Sequence, residues 1–320
     1  MKLYHLDQFG AELRKIRMDC NLSQSDVYKA IGVSEDTLRR IEHGLVIPRL
    51  DTLEYLSALY KLDIGTLFLK SRLGHHYVHG DIAETLNTMI YNNEFKELEQ
   101  IITAIGQTVE SENDRPTDQL FLNKLLQFKS LVEIIREFNT RPSTAIENDP
   151  LSKKIITALC LTIRDFDICY LDSYILNFIE LRLLIIYCVI LRINNHFNEA
   201  LEVLDVLLKK TTLKFEYERN YLDLLFKIHF NIAYCYHRQD MHEEVIKASD
   251  NALKLSQTMG DYSLMHAFLF RKSVALFHLN RLSESAEIIK DCIVMLKIMG
   301  NISLAEQYKK VFNDMYFPID

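Results

Sequence analysis

The sequence predicts an all-α protein in which a small five-helix domain precedes a right-handed α-solenoid. Only 9 glycines and 5 prolines interrupt the 320 residues, too few for the many turns of an all-β protein. Apolar residues recur at helical spacing along most of the chain, and similar helix pairs recur in the last third. The predicted boundaries are residues 1–72 for the first domain, 73–80 for a linker and 81–320 for the solenoid.

The first domain is predicted to contain five short helices within residues 6–70. Leu6, Phe9 and Leu13 have the spacing of the first helix. The expected N-caps of the next four helices are Ser23, Ser34, Asp51 and Asp63. A tight turn at Gly32 separates the second and third helices, and two short helices joined in this way indicate helix-turn-helix geometry.

The segment 13–68 resembles the Cro/repressor-type (Xre-like) helix-turn-helix domain. The matching positions are Leu22-Ser23-Gln24, Gly32-Val33-Ser34, Ile41-Glu42-x-Gly44, Pro48, Leu53 and Leu67-Phe68. The resemblance implies binding to double-stranded DNA, with Ser34–Glu42 as the recognition helix. It also implies that Arg17 and Glu42 form a structural pair that joins the first helix to the recognition helix.

The predicted DNA-binding residues lie on the recognition helix and beside it. Gln24 matches a family glutamine that bonds a phosphate, and Arg40 is the candidate for a bidentate contact to guanine. Glu35 and Asp36 depart from the family pattern; they could accept from a cytosine amino group, repel unsuitable sites, or only interact with the helix dipole. The full predicted set is Gln24, Ser34, Glu35, Asp36, Thr37, Arg39, Arg40 and His43.

The charge distribution and the cysteine content limit the classes of protein to which the chain can belong. Residues 1–72 carry a formal charge of +1 and the remainder −8, a distribution that does not by itself indicate nucleic-acid binding. Six cysteines lack C-x-x-C spacing, and five of them fall in apolar helical runs. This pattern is typical of reduced, buried thiols in a reducing compartment.

Several functions are disfavoured by the motifs. No phosphate-binding loop, dinucleotide fingerprint, nucleophile elbow or H-E-x-x-H motif occurs, so we expect neither an enzyme nor a cofactor. The N-terminus has no apolar signal region, and the apolar run 183–191 is shorter than the about 20 residues of a membrane span; we therefore expect a cytoplasmic protein without a membrane partner. His75 and His79 could share a helix face, but no further zinc ligand is evident, and an exposed linker without metal is expected.

Residues 81–320 show degenerate tetratricopeptide-like repeats. The small residues Ala200, Val245 and Ala286 are predicted to open the second helix of three successive pairs. Their intervals exceed the about 34 residues of that repeat, which indicates longer helices. Earlier pairs are expected at 81–109 and 117–163, and a last helix at 301–316 is expected to cap the array.

A helix-turn-helix head followed by such repeats resembles the peptide-pheromone receptor regulators grouped as RRNPP. This resemblance implies quorum sensing, a homodimer, and a short signalling peptide in a concave groove. With Cys188, Ala233 and Val274 taken as equivalent positions, the predicted peptide-binding residues are Arg182, Lys227, Phe230, Asn231, Tyr234 and Arg271. The cations suggest an anionic guest, unless they pair with acids on neighbouring repeats.

Three functional hypotheses follow. The first is a peptide-switched transcription factor that binds a two-fold-related operator as a homodimer. The second is a regulator whose repeats bind a partner protein. The third is a constitutive repressor whose helical body serves only to dimerise.

Overall fold

The computed structural model describes residues 4–71, 119–140, 150–216 and 221–316. In these ranges the chain forms fourteen α-helices and one 3-10 helix, and no β-strand. The predicted all-α class is therefore confirmed. None of the helices described is long and apolar enough to cross a membrane. The chain divides into two compact units, Met1–Lys129 and Ser130–Asp320; the linker predicted at 73–80 and the helix pair predicted at 81–109 lie outside the described residues.

The head, residues 4–71, contains the five predicted helices. They are α1 (Leu6–Asp19), α2 (Gln24–Ile31), α3 (Glu35–Glu42), α4 (Leu50–Tyr60) and α5 (Ile64–Lys70). Every helix contributes to one apolar core, which is formed by Leu6, Phe9, Leu13, Val27, Val33, Leu38, Ile41, Leu53, Leu56, Tyr60, Ile64 and Phe68. Because each helix is too short to be stable alone, this shared core holds the head together.

Three of the four predicted N-caps are confirmed. The Ser23 side chain accepts a hydrogen bond from the Asp26 amide and forms a complete capping box, and Ser34 accepts from the Thr37 amide. Asp63 accepts from the Thr66 amide. The prediction for Asp51 is wrong: the N-cap is Arg49 and α4 starts at Leu50, two residues earlier than a cap at Asp51 requires. Asp51 therefore lies in the first turn, where its carboxylate still faces the positive end of the helix dipole.

Nine further α-helices and the 3-10 helix follow the head in the described ranges. They are α6 (Gln119–Thr140), α7 (Pro150–Cys160), the 3-10 helix η1 (Ile168–Ser173), α8 (Phe178–Ile193), α9 (Phe197–Phe215), α10 (Leu222–Arg238), α11 (His242–Met259), α12 (Met265–His278), α13 (Leu282–Ile298) and α14 (Ile302–Met315). Helices α6 and α7 fall within the pair predicted at 117–163. Helix α14 coincides with the predicted capping helix, packs on α13 and buries Phe312.

Helices α8–α13 form three helix pairs joined by the same turn. Each pair is connected by three residues, and the middle residue has a positive φ: 63° at Asn195, 56° at Asp240 and 58° at Asn280. Asn and Asp tolerate this left-handed conformation better than other side chains do. Each helix packs on the next, and the first helices of successive pairs also touch, α8 with α10 and α10 with α12. These three first helices are called the inner layer below.

The shared turn fixes the register of the repeats and corrects the prediction in the third pair. Asn195, Asp240 and Asn280 are 45 and 40 residues apart. The same intervals relate Cys188 to Ala233 and then to Ser273, which are all buried. The predicted equivalent position, Val274, is therefore one residue too late. Likewise, Ser285 rather than Ala286 is the buried residue that opens the second helix of the third pair.

The cysteines are free, but only half of them are buried. Cys188, Cys235 and Cys292 lie in the core, as predicted, whereas Cys20, Cys160 and Cys169 are exposed. The prediction of five core thiols is therefore wrong for Cys160 and Cys169. Cys160 is the last residue of α7, and Cys169 lies in η1 rather than on the apolar face of an α-helix.

Candidate functional site

The recognition helix α3 presents one polar face and buries the other. Leu38, Ile41 and Glu42 are buried against the rest of the head. Of the eight residues that the sequence assigns to DNA contact, Gln24 on α2 is half-buried. The other seven lie on α3 and at its ends and are all exposed: Ser34, Glu35, Asp36, Thr37, Arg39, Arg40 and His43. The helical period thus separates the packing residues from the candidate binding residues.

The exposed charges of α3 differ in how they are paired. Arg39 forms an ion pair with Asp36, with 2.6 Å between Nη2 and Oδ1. This hydrogen bond, together with the charges of Arg39 and Arg40, lowers the pKa of Asp36. Arg40 has no ion pair among the residues that the structure describes. His43 ends the helix, and its Nδ1 lies 2.7 Å from the Arg39 carbonyl oxygen.

A buried ion pair fixes α3 to α1. The Arg17 Nε donates to Glu42 Oε1 at 2.6 Å, and Nη2 donates to Oε2 at 3.1 Å. The remaining Nη1 donates to the Leu22 carbonyl at 2.7 Å, and the bond to Glu42 raises the pKa of Arg17. The pair implied by the family resemblance is therefore present. Gln24 joins it, because its amide nitrogen donates to Glu42 Oε2 at 2.8 Å.

Two glycines allow close backbone contacts around the same helix. A Cβ atom on Gly10 of α1 would lie 2.6 Å from the carbonyl oxygens of Ile41 and Glu42. A Cβ on Gly44, where φ is +65°, would lie 2.6 Å from the backbone nitrogen of Asp7. The C-terminal end of α3 therefore packs backbone against backbone on α1, a contact that only glycine permits.

The predicted groove residues divide into two clusters on the inner layer. In the first, Arg182 on α8 is buried, and its Nη1 lies 3.7 Å from Asp223 Oδ2 on α10. Lys227 pairs with the same carboxylate, and burial lowers the pKa of Lys227 to about 8. Asn231 is buried below, where its amide donates to the Lys227 carbonyl at 2.8 Å. Arg182 thus has the acidic partner on a neighbouring repeat that the alternative expects, whereas the acidic partner of Lys227 lies on its own helix.

The second cluster surrounds Tyr234 of α10. The guanidinium carbon of Arg192 lies 3.9 Å from the centroid of the Tyr234 ring, and that of Arg271 lies 4.9 Å from it. Arg238 donates from Nη1 to the Tyr234 hydroxyl at 3.1 Å, and Arg271 also lies 4.2 Å from the Phe230 ring centroid. Three arginines thus meet around two aromatic rings.

Beside this cluster lies a pocket of about 210 Å³. Phe230 and His237 of α10 and Arg271 of α12 form part of its wall, together with aromatic side chains of α12 and α14. Of the six predicted peptide-binding residues, Phe230 and Arg271 line the pocket, and Tyr234 contacts Arg271. Arg182, Lys227 and Asn231 do not line it.

Sequence reasoning missed Arg192, His237, Phe270, Tyr308 and Tyr316. Arg192 and His237 come four residues after the equivalent small residues Cys188 and Ala233, one helical turn beyond the positions considered. Extending the repeat alignment by one helical turn would have identified both Arg192 and His237. Tyr308 lies on the capping helix and Tyr316 directly after it, where the repeat pattern ends and gives no signal. No group of three or more potential metal ligands is formed by the residues described; His75 and His79 lie outside them.

Residues 8–67 match the family model of the helix-turn-helix domain. The head is a helix-turn-helix domain. A relative of this domain is the cryptic phage CTXphi transcriptional repressor RstR of Vibrio cholerae, which is 34% identical over 59 residues. That match covers 18% of this chain and 53% of RstR, so the chain spans about half of the repressor's own length.

Solved structures share the fold of nearly the whole chain, from the helix-turn-helix domain through the repeats. PlcR of Bacillus thuringiensis, in complex with the peptide PapR7 and DNA, has a TM-score of 0.63 at 17% identity, over 94% of this chain and 99% of PlcR. ComR of S. thermophilus, in complex with DNA and its signalling peptide ComS, has a TM-score of 0.50 at 16% identity, over 94% and 97%. The resemblance expected from the sequence is confirmed for the fold, and the family match is to a helix-turn-helix domain rather than to an enzyme.

Proposed function

We propose that this protein is a cytoplasmic, sequence-specific DNA-binding transcription regulator controlled by a short signalling peptide. One observation carries the proposal: a helix-turn-helix domain with an exposed polar recognition helix shares its chain with a repeat domain that contains an aromatic, arginine-bearing pocket. PlcR and ComR, which have the same fold, were solved with both DNA and a peptide.

In the DNA complex, α3 lies in the major groove. Arg40 is exposed and forms no ion pair with any residue described, so its guanidinium is available for the O6 and N7 atoms of a guanine. Thr37 and Arg39 contact the DNA backbone. To do so, Arg39 breaks its ion pair with Asp36 and forms one with a phosphate. Gln24 donates to a phosphate at the start of α2, while Ser34, Glu35 and His43 lie at the two ends of the recognition helix.

DNA binding requires two copies of the chain. The head carries a formal charge near zero, so one head neutralises few phosphates and binds weakly. Leu45, Ile47 and Leu50 follow the recognition helix and are 65%, 61% and 73% exposed, which supports a contact between two heads. We propose a homodimer on a two-fold-related operator, with half-sites about 34–36 Å apart or a multiple of that distance.

The DNA-binding half of the proposal is tested on duplexes selected from a random pool. Arg40→Ala is expected to weaken binding by about 1–3 kcal/mol at one base position and to relax the preference there. Gln24→Ala should weaken all sequences evenly. Lys15→Ala, which removes a positive charge from α1, is the control. If Arg40→Ala retains both the affinity and the base preference of the parent, this assignment is wrong.

The peptide-sensing half is tested with the selected operator and the full-length protein. Fractions of short peptides from culture medium are added in a gel-shift titration, and at least one fraction should change the affinity for the operator. A protein that binds the operator as a dimer with the same affinity in every fraction would instead be a constitutive repressor.

A further inference from the structure

Among the residues that the structure describes, the arginines around Tyr234 find no acidic partner of the kind that cations normally have inside a protein. Neither Arg192, Arg238 nor Arg271 forms an ion pair with any residue in the described parts of the chain. Burial and the neighbouring Arg192 lower the pKa of Arg271 to about 10, so Arg271 remains charged at neutral pH. Like charges this close repel each other, and the aromatic rings offset only part of that cost.

This lack of acids is local. Residues 73–320 carry a formal charge of −8, and three turns earlier on the same two helices Arg182 and Lys227 share Asp223. Within the described ranges, the inner layer therefore contains one cationic cluster that pairs with a carboxylate and one that does not. The second cluster is the one beside the pocket.

Arg271 has a hydrogen-bond donor that no described residue uses. Its Nε is buried and has no hydrogen-bond partner among the residues described, and the residue forms part of the pocket wall. The rest of the wall is mostly aromatic: Phe230, Phe270, Tyr308 and Tyr316. A cavity of about 150 Å³ can hold a benzene ring, so the pocket of about 210 Å³ has room for one large apolar side chain.

An occupant of this pocket must combine a negative charge with an apolar group. The C-terminal residue of a peptide does so, because its α-carboxylate and its side chain are bonded to the same carbon atom. An internal Asp or Glu offers the charge without the apolar group, and a phosphate would leave the aromatic wall unused. A planar carboxylate also fits the fork of the guanidinium Nε and Nη donors.

We propose that this pocket binds the C-terminal residue of the regulatory peptide, with its free carboxylate on Arg271 and an aromatic or large aliphatic side chain among Phe230, Phe270 and Tyr308. Arg192, whose guanidinium lies 3.9 Å from the Tyr234 ring centroid, adds a second positive charge to the cluster. The inference rests on the proposed function for the identity of the guest, but the site is defined by its own chemistry.

The test uses N-acetyl-L-phenylalanine and its C-terminal amide as probes of the full-length protein, measured by ligand-observed NMR. The free acid should bind about tenfold or more tightly than the amide, because only the acid offers a charged acceptor. Arg271→Gln should lose this preference. Lys272→Gln, which removes the adjacent positive charge that pairs with Asp250 outside the pocket, should keep it.

Equal binding of the acid and the amide to the parent protein overturns the proposal without any variant, so the test does not depend on the folding of Arg271→Gln. Retention of the preference in a folded Arg271→Gln overturns it as well. The proposed function fails separately, when no peptide fraction alters operator binding. If a fraction does alter it and amidation of the active peptide leaves the response unchanged, the function stands and the carboxylate site is wrong.

Discussion

Removal of Glu42 is expected to unfold the head locally and leave the repeat domain intact. The Arg17 and Glu42 side chains are only 10% and 0% exposed, and Glu42 accepts three hydrogen bonds, two from Arg17 and one from Gln24. Glu42→Ala leaves the Arg17 charge buried with only the Leu22 carbonyl as a partner. Breaking one partner of a buried pair typically costs about 3–5 kcal/mol.

This loss can be measured by amide hydrogen exchange of the full-length protein. Since about 1.36 kcal/mol corresponds to a factor of ten, exchange in α1 and α3 should accelerate by roughly 150- to 5,000-fold. Exchange in α11 and α13 should not change. Asp36→Ala, which removes the exposed partner of Arg39, is the matched control and should leave α1 and α3 protected.

A second variant separates the loss of the pair from the exposure of an unpaired charge. Replacing both residues, as in Arg17→Met with Glu42→Leu, leaves no charge buried and should destabilise the head less than Glu42→Ala alone. Acceleration below about tenfold in Glu42→Ala would refute the reasoning, as would a double variant that is less stable than the single one.

Two further changes test the packing of the head and the pH response of the repeat domain. Gly10→Ala places a Cβ 2.6 Å from two carbonyl oxygens of α3 and should destabilise the head by about 1–3 kcal/mol. Gly65→Ala is the control, because its Cβ meets only the Asp63 side chain at 3.2 Å, and it should not destabilise the head. Equal amide exchange rates of the head in the two variants would contradict this. Burial, with Arg271, His242 and His278 nearby, lowers the pKa of His237 to about 4. The unfolded chain therefore binds a proton at about pH 6.5 that the folded protein takes up only near pH 4, and stability should fall as the pH falls through this window. Denaturation between pH 4 and 6.5 should show a shallower pH dependence for His237→Gln than for the parent, and identical slopes would show that His237 does not contribute.

The sequence determined the head almost completely, because its signals are local. Ser23, Ser34 and Asp63 cap their helices through residues three positions away, and the apolar spacing of α3 separates its buried face from its exposed one. The cap predicted at Asp51 was wrong by two positions, because Arg49 can start α4 in an extended conformation without a side-chain bond.

In the repeats, the sequence was sufficient to predict the three helix pairs, but it did not determine the register of the third pair. Ser273 and Val274 are adjacent and both small enough for the inner layer, so spacing alone could not choose between them. The left-handed turn at Asn280 decides the choice, because it fixes where α12 ends and α13 begins. Thus Arg271 was singled out from an incorrect alignment, and it lines the pocket because of where α12 packs.

The surroundings of Arg182 and Arg271 were decided by the tertiary structure alone, whereas Lys227 pairs with Asp223 four residues earlier on the same helix. Arg182, Lys227 and Arg271 were equivalent candidates in the sequence, since each lies on the first helix of a pair. Packing of α8 on α10 brings Arg182 within 3.7 Å of Asp223, while packing of α10 on α12 brings Arg271 onto Phe230 and Tyr234. Helical periodicity determines which face a side chain occupies, but the partner it meets there depends on a distance between helices, and that distance is set by the core they share.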